Sequence, residues 1–219
     1  MHDPKDPAAV TIRDLTVGYQ QGSPVFEGFS ADFAAGGLVL VGGGNGSGKS
    51  TLLEVCSGYL RPWRGSVRIN GIDAGTAEAR AVRRVCRTKQ ALYPTMTVLD
   101  HLLFGARCVG VEPGGVLARA ERYGLHRWFG QDAKALSTGN SRKLWIMVCT
   151  LGAFDIVLLD EPFNGLDDEG SAVLRDEVSR WAADGSVLLI AHRPPAGLRP
   201  DRVFLVDHGQ SAEAVLTNG

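Results

Sequence analysis

The chain has 219 residues, a formal net charge of −1 and an apolar fraction of 44%. That length supports one domain with a substantial core. Without a global basic excess, non-specific nucleic-acid binding is not indicated, and no apolar run approaches the roughly 20 residues that cross a membrane as a helix.

In chain order, residues 1–9 are polar and proline-bearing and are expected to form a disordered tail, neither signal peptide nor anchor. Residues 10–19 alternate in part, through Val10, Ile12, Leu15 and Val17, and predict a strand. After a turn at Gly22-Ser23-Pro24, residues 25–33 predict a second strand. Residues 38–41 form an apolar run, followed by a glycine-rich stretch and a helix ending near Gly58. A strand over 66–69 turns at Asn70-Gly71, and residues 77–84 predict a helix. The basic cluster Arg80, Arg83, Arg84 and Arg87 is expected to be a solvated face, with a contact surface as the alternative.

From about residue 91 the texture becomes helical, with helices predicted over 97–108, 116–123 and 142–151 and a glycine-rich connector at 110–115. Residues 156–159 then form a continuous apolar run, as in a strand buried on both faces. A helix over 170–183 and strands over 186–191 and 202–206 complete the chain. The scattered cysteines Cys56, Cys86, Cys108 and Cys149 contain no C-x-x-C pair. They argue against zinc and a disulfide framework, and each is expected to be a buried small apolar residue in a reducing cytosol. Trp63, Trp128, Trp145 and Trp181 are expected to be packing residues.

The most informative stretch is Gly43-Gly44-Asn45-Gly46-Ser47-Gly48-Lys49-Ser50, between the apolar run and Thr51-Leu52-Leu53. Glycines let a backbone bend around an anion, so that successive N–H groups point inward. The following helix adds its N-terminal partial charge. In this pattern Lys49 reaches the outer phosphates and the Ser50 hydroxyl binds Mg²⁺. The second strong signal is Asp160-Glu161, two carboxylates delivered at the end of an apolar strand. An Asp there can hold Mg²⁺ through water, while the adjacent Glu can polarise an attacking water.

With these motifs in this order, residues 10–210 resemble the nucleotide-binding subunit of an ATP-binding cassette (ABC) transporter. Leu136-Ser137-Thr138-Gly139-Asn140 resembles the family signature, usually Leu-Ser-Gly-Gly-Gln, with Thr138 and Asn140 as departures. Gly44 stands where the family commonly has proline. Gly165-Leu166-Asp167 resembles the D-loop, Gln90 the Q-loop glutamine, His192 the switch histidine, and Tyr19 the aromatic residue that stacks on adenine.

The resemblance implies an α/β fold: a P-loop core of mainly parallel sheet flanked by helices (about residues 10–90 and 153–219), an N-terminal antiparallel β portion, and an inserted helical subdomain (about 91–152). It implies Mg·ATP held by Tyr19, residues 43–51, Asp160, and the Ser137 and Gly139 of a second subunit, with the metal on Ser50, Gln90 and Asp160. Glu161 is the implied base, aided by Lys49, Gln90 and His192. Two such subunits, identical or different, would pair head to tail on the cytoplasmic face of a membrane. They would power transport by permease subunits on separate chains, with no nucleic-acid partner. A soluble ABC ATPase serving ribosomes, DNA or iron–sulfur assembly is the alternative.

Overall fold

The computed structural model describes residues 8–191, 194–207 and 210–215. Strands β1 (Ala8–Val17), β2 (Phe26–Ala34), β4 (Arg64–Ile69) and the short β5 (Ile72–Asp73) form an antiparallel sheet in the order β2-β1-β4-β5. Strands β3 (Gly37–Gly42), β6 (Arg83–Cys86), β7 (Ile156–Asp160), β8 (Ser186–Ile190), β9 (Arg202–Asp207) and β10 (Gln210–Val215) form the second, in the order β10-β9-β3-β8-β7-β6. All its pairings are parallel except that of β10 with β9.

The period-two geometry of a strand sends successive side chains to opposite faces. In β3, Val39 and Val41 join a core shared with the antiparallel sheet and with helix α1 (Lys49–Cys56), while Leu38 and Leu40 face the helices on the other side. In β7, Ile156 and Leu158 take the first face and Val157 and Leu159 the second. Burial on both faces explains why this strand is apolar at every position from 156 to 159.

Between β6 and β7 the described elements are helices: α3 (Val98–Val109), α4 (Pro113–Arg122) and α5 (Thr138–Cys149), with two short 3₁₀ turns. α6 (Asp168–Asp184) links β7 to β8, and α2 (Ala77–Val82) precedes β6. Capping fixes the starts. Thr97 accepts from the Asp100 amide, Ser137 from the Asn140 amide and Asp167 from the Gly170 amide.

Several expectations change. β1 begins at Ala8, inside the stretch read as a tail, because it pairs with β2 there and the Ala9 carbonyl accepts from the Asn70 amide. The helix predicted over 77–84 stops at Val82, and Arg83–Cys86 is a strand instead, drawn into the sheet by the open edge of β7. The glycine-rich connector is shortened because Pro113 starts α4, where its missing N–H costs nothing. β10 carries no sequence expectation.

The basic cluster is not a uniformly solvated face either. Arg83 is buried and donates to the carbonyls of Ala74 and Ser57, and Arg84 donates to those of Leu151, Ala81 and Arg83. Cys108 is exposed and Cys149 half-buried, whereas Cys56 is buried and its thiol is pushed up to about 12 by that burial. Trp63 and Trp128 are partly exposed.

Candidate active site

β3 hands the chain to α1 through residues 43–48, and two glycines decide how. Gly48 caps α1 at φ 108°, where a β-carbon would lie 2.7 Å from the Phe26 ring. Gly43, at φ 146°, approaches so closely that a β-carbon would run into the Val206 carbonyl. Only glycine combines that backbone with that space. The Ser47 amide closes the turn onto the Gly44 carbonyl at 3.3 Å. Lys49 folds back over the loop entrance, its ammonium donating to the carbonyls of Gly43 at 2.8 Å and Gly44 at 2.7 Å. Ser47 Oγ is buried without a hydrogen-bond partner among the described residues, a polar atom left over under the loop.

The loop forms one side of a cleft of about 480 Å³. Asn45, Gly46, Ser50 and Thr51 line it with Lys49, and Tyr19 stands at its rim with 62% of its surface exposed. The Tyr19 hydroxyl donates to Glu54 Oε2 at 3.0 Å and accepts from Thr51 Oγ1 at 3.4 Å, which anchors the ring to α1. Partial burial, then the Glu54 carboxylate, raise its pKa against the opposing pull of the Thr51 hydrogen bond.

The facing side is the end of β7. Asp160 is 8% exposed, and its carbonyl accepts from Thr88 Oγ1 at 3.2 Å. Glu161 has left-handed backbone, φ 46°, and its amide donates to the Ile190 carbonyl at 2.9 Å. A non-glycine residue held there costs about 1–3 kcal/mol, which persists only where surrounding contacts enforce it. Asn164 Nδ2 donates to Glu161 Oε2 at 3.4 Å.

Ser137 and Gly139 do not line this cleft. They lie at the start of α5, where Ser137 Oγ accepts from the Asn140 amide at 3.2 Å and a β-carbon on Gly139 would sit 3.1 Å from the Gly165 carbonyl. The buried Lys143 donates to Asp167 Oδ2 at 2.8 Å, which ties α5 to the cap of α6. That ammonium, then the Gly170 amide, hold the Asp167 carboxyl below the ordinary carboxylate range.

Gln90 is half-buried and is not among the cleft residues; Thr88, two positions earlier, is. A lone threonine outside any motif gives a sequence reader no signal. His192 lies outside the described residues.

Among the described residues no three His, Cys, Asp or Glu side chains gather as a metal cluster. Among the oxygen-bearing residues lining the cleft are the Ser50 hydroxyl and the Asp160 carboxylate, which could hold a cation. Such a sparse, all-oxygen set matches a cation that takes its remaining ligands from phosphates and water.

A parallel sheet, a glycine loop opening a helix, and two carboxylates across the cleft define a P-loop nucleotide-binding domain. Comparison with known proteins sharpens this: the chain belongs to the ABC transporter family, whose model matches residues 26–164. A Pyrococcus furiosus relative assigned as an ABC transporter ATP-binding protein is 30% identical over 211 residues, covering 92% of this chain and 81% of that protein. The cytochrome c biogenesis ATP-binding export protein CcmA of Rhodopseudomonas palustris is 32% identical over 177 residues, covering 81% of this chain and 88% of CcmA. A solved structure of the ATP binding subunit of an ABC transporter superposes with a TM-score of 0.83 at 26% identity, covering 95% of this chain and 90% of that one. The chain is thus an ABC ATP-binding domain, of the class of ATPases that drive transport. No helix among the described residues is long and apolar enough to cross a membrane.

Proposed function

We propose that this chain binds Mg·ATP in the cleft between the Gly43–Ser50 loop and the Asp160–Glu161 strand end, and hydrolyses it to drive transport through permease subunits on separate chains. The supporting observation is the pairing across one cleft of a glycine-built anion cradle with two carboxylates at a buried strand end. The loop amides and the α1 N-terminus receive the phosphates. Lys49, held over the loop by two carbonyls, exchanges those for phosphate oxygens, which are stronger acceptors for an ammonium. Tyr19 offers its exposed ring to the base.

Ser50 and Asp160, with Gln90, would hold the Mg²⁺. Bound there, Mg²⁺ neutralises charge on the phosphate oxygens. Glu161 orients the attacking water and takes its proton. His192 is assigned to the outer phosphate by its place after β8.

Ser137 and Gly139 lie away from their own chain's cleft lining, at a helix start whose partial charge attracts anions. They serve the ATP of a second subunit, identical or homologous, placed head to tail. The pair sits on the cytoplasmic face of the membrane through its permease. The domain limits proposed are a core of residues 10–90 and 153–219 around a helical subdomain of 91–152. Arg80, Arg84 and Arg87, with Tyr59 and Trp145, line a groove of about 940 Å³ that has no carboxylate among its lining residues. With the exposed Tyr93 and Phe104, it is the surface proposed to face the permease.

The test is Lys49→Ala in the purified chain. ATP affinity or turnover collapses in the variant; turnover close to wild type refutes the assignment.

A further inference from the structure

One buried side chain holds the reactive end of β7 and has no part in the mechanism above. Arg142, on α5, is 2% exposed. A guanidinium has five N–H donors, and each meets a backbone carbonyl. Nη2 donates to Asp160 at 3.0 Å and to Glu161 at 2.7 Å, and Nε donates to Pro162 at 3.3 Å. Nη1 donates to Arg87 and to Thr88, both at 3.0 Å.

These carbonyls come from the ends of β6 and β7, the segments that place Thr88, Asp160 and Glu161 in the cleft. Strand ends leave the ladder, and their buried carbonyls need donors from elsewhere. The rigid planar fork of arginine can hold two chain segments at fixed angles, which a flexible ammonium cannot. The arrangement also encloses the left-handed residue: Glu161 is gripped at its carbonyl by Arg142 and at its amide by Ile190.

We infer that Arg142 is a positioning residue for hydrolysis, setting the direction of the Glu161 carboxylate and tying it to the seat of α5. α5 also starts at the Ser137 cap, five positions before Arg142. A shift of α5 caused by engagement of Ser137–Gly139 is therefore passed through one rigid group to Glu161. The inference rests on Glu161 being the base.

The test measures four quantities on the full chain for wild type, Arg142→Lys and Arg142→Gln. They are turnover per folded molecule, KM for Mg·ATP, affinity for trinitrophenyl-ATP in EDTA, and the melting temperature. Lysine keeps the charge and three donors, so that variant still folds. Arg142→Gln is expected to lower kcat by roughly 10²-fold, the scale of a misplacement of about 1 Å, with Arg142→Lys in between. Nucleotide affinity in EDTA stays within about twofold of wild type, because the loop and α1 are untouched.

Adding Arg142→Lys to Glu161→Gln should then cost almost nothing further, since a group acting through Glu161 has nothing left to orient. Unchanged kcat in folded Arg142→Gln, affinity falling in step with kcat, or full additivity with Glu161→Gln would each overturn the inference. Absence of turnover in wild type would instead refute the hydrolytic reading beneath it.

Discussion

At the scale of single residues, the proposed function divides binding and chemistry between the two sides of the cleft. Lys49 begins α1 beside the loop and Glu161 lies on the far wall, on a backbone that only its neighbours keep left-handed. Glu161→Gln preserves shape and the hydrogen bond from Asn164 while removing the proposed base. Turnover should fall roughly 10²–10⁴-fold, the usual worth of a positioned base, while ATP binding measured by equilibrium dialysis is retained. Normal turnover would show that another group takes the proton. Lost binding would show damage beyond the chemistry. Thr138, where the family commonly has glycine, starts α5 beside Gly165 and meets no obstacle there, since a β-carbon added to Gly165 would stay 3.6 Å from its methyl.

At the scale of elements, α4 and α6 are joined by a buried ionic cluster. Glu177 on α6 is 2% exposed and accepts from Arg119 Nε at 2.8 Å, Arg119 Nη2 at 2.7 Å and the Tyr123 hydroxyl at 2.8 Å. Arg119 also donates to the carbonyl and hydroxyl of Thr150, just beyond α5. Burial, then the Glu177 charge, raise the Tyr123 pKa far above that of a free phenol. Removing one partner of such a pair leaves a buried charge uncompensated, at about 3–5 kcal/mol. Glu177→Gln should therefore lower the urea midpoint strongly, whereas Tyr123→Phe, which removes one neutral donor, should cost only about 1–2 kcal/mol. Equal losses in the two variants would show that packing, not charge pairing, holds α4 to α6.

At the scale of the whole molecule, the proposed function needs a second copy or a homologue. Ser137→Arg should leave ATP binding by the isolated subunit intact and abolish most hydrolysis, because in the proposed head-to-tail pair its bulk would fall on the other subunit's nucleotide. Loss of the α5 cap adds a stability cost of about 1 kcal/mol, which Ser137→Ala reports by itself. In a homodimer, mixing Ser137→Arg with Lys49→Ala puts both lesions in one composite site and leaves the other intact, so part of the activity should return. ATP affinity lost in isolated Ser137→Arg would contradict a role across the interface.

Much of this was legible in the chain. The glycine-rich stretch between an apolar run and a helix was readable by local backbone rules, because only glycine suits the tight strand-to-helix turn in which Gly43 and Gly48 take positive φ. The apolar run ending in Asp160-Glu161 was equally legible, because a strand covered on both faces must be apolar throughout. Tertiary structure alone decided what depended on distant neighbours. Arg83–Cys86 became a strand only because β7 offered an edge, and its arginines turned inward only because free carbonyls lay beside them. Thr88 entered the cleft and Arg142 closed on five carbonyls for the same reason: these contacts join residues from 18 to 72 positions apart, whose match no local pattern encodes.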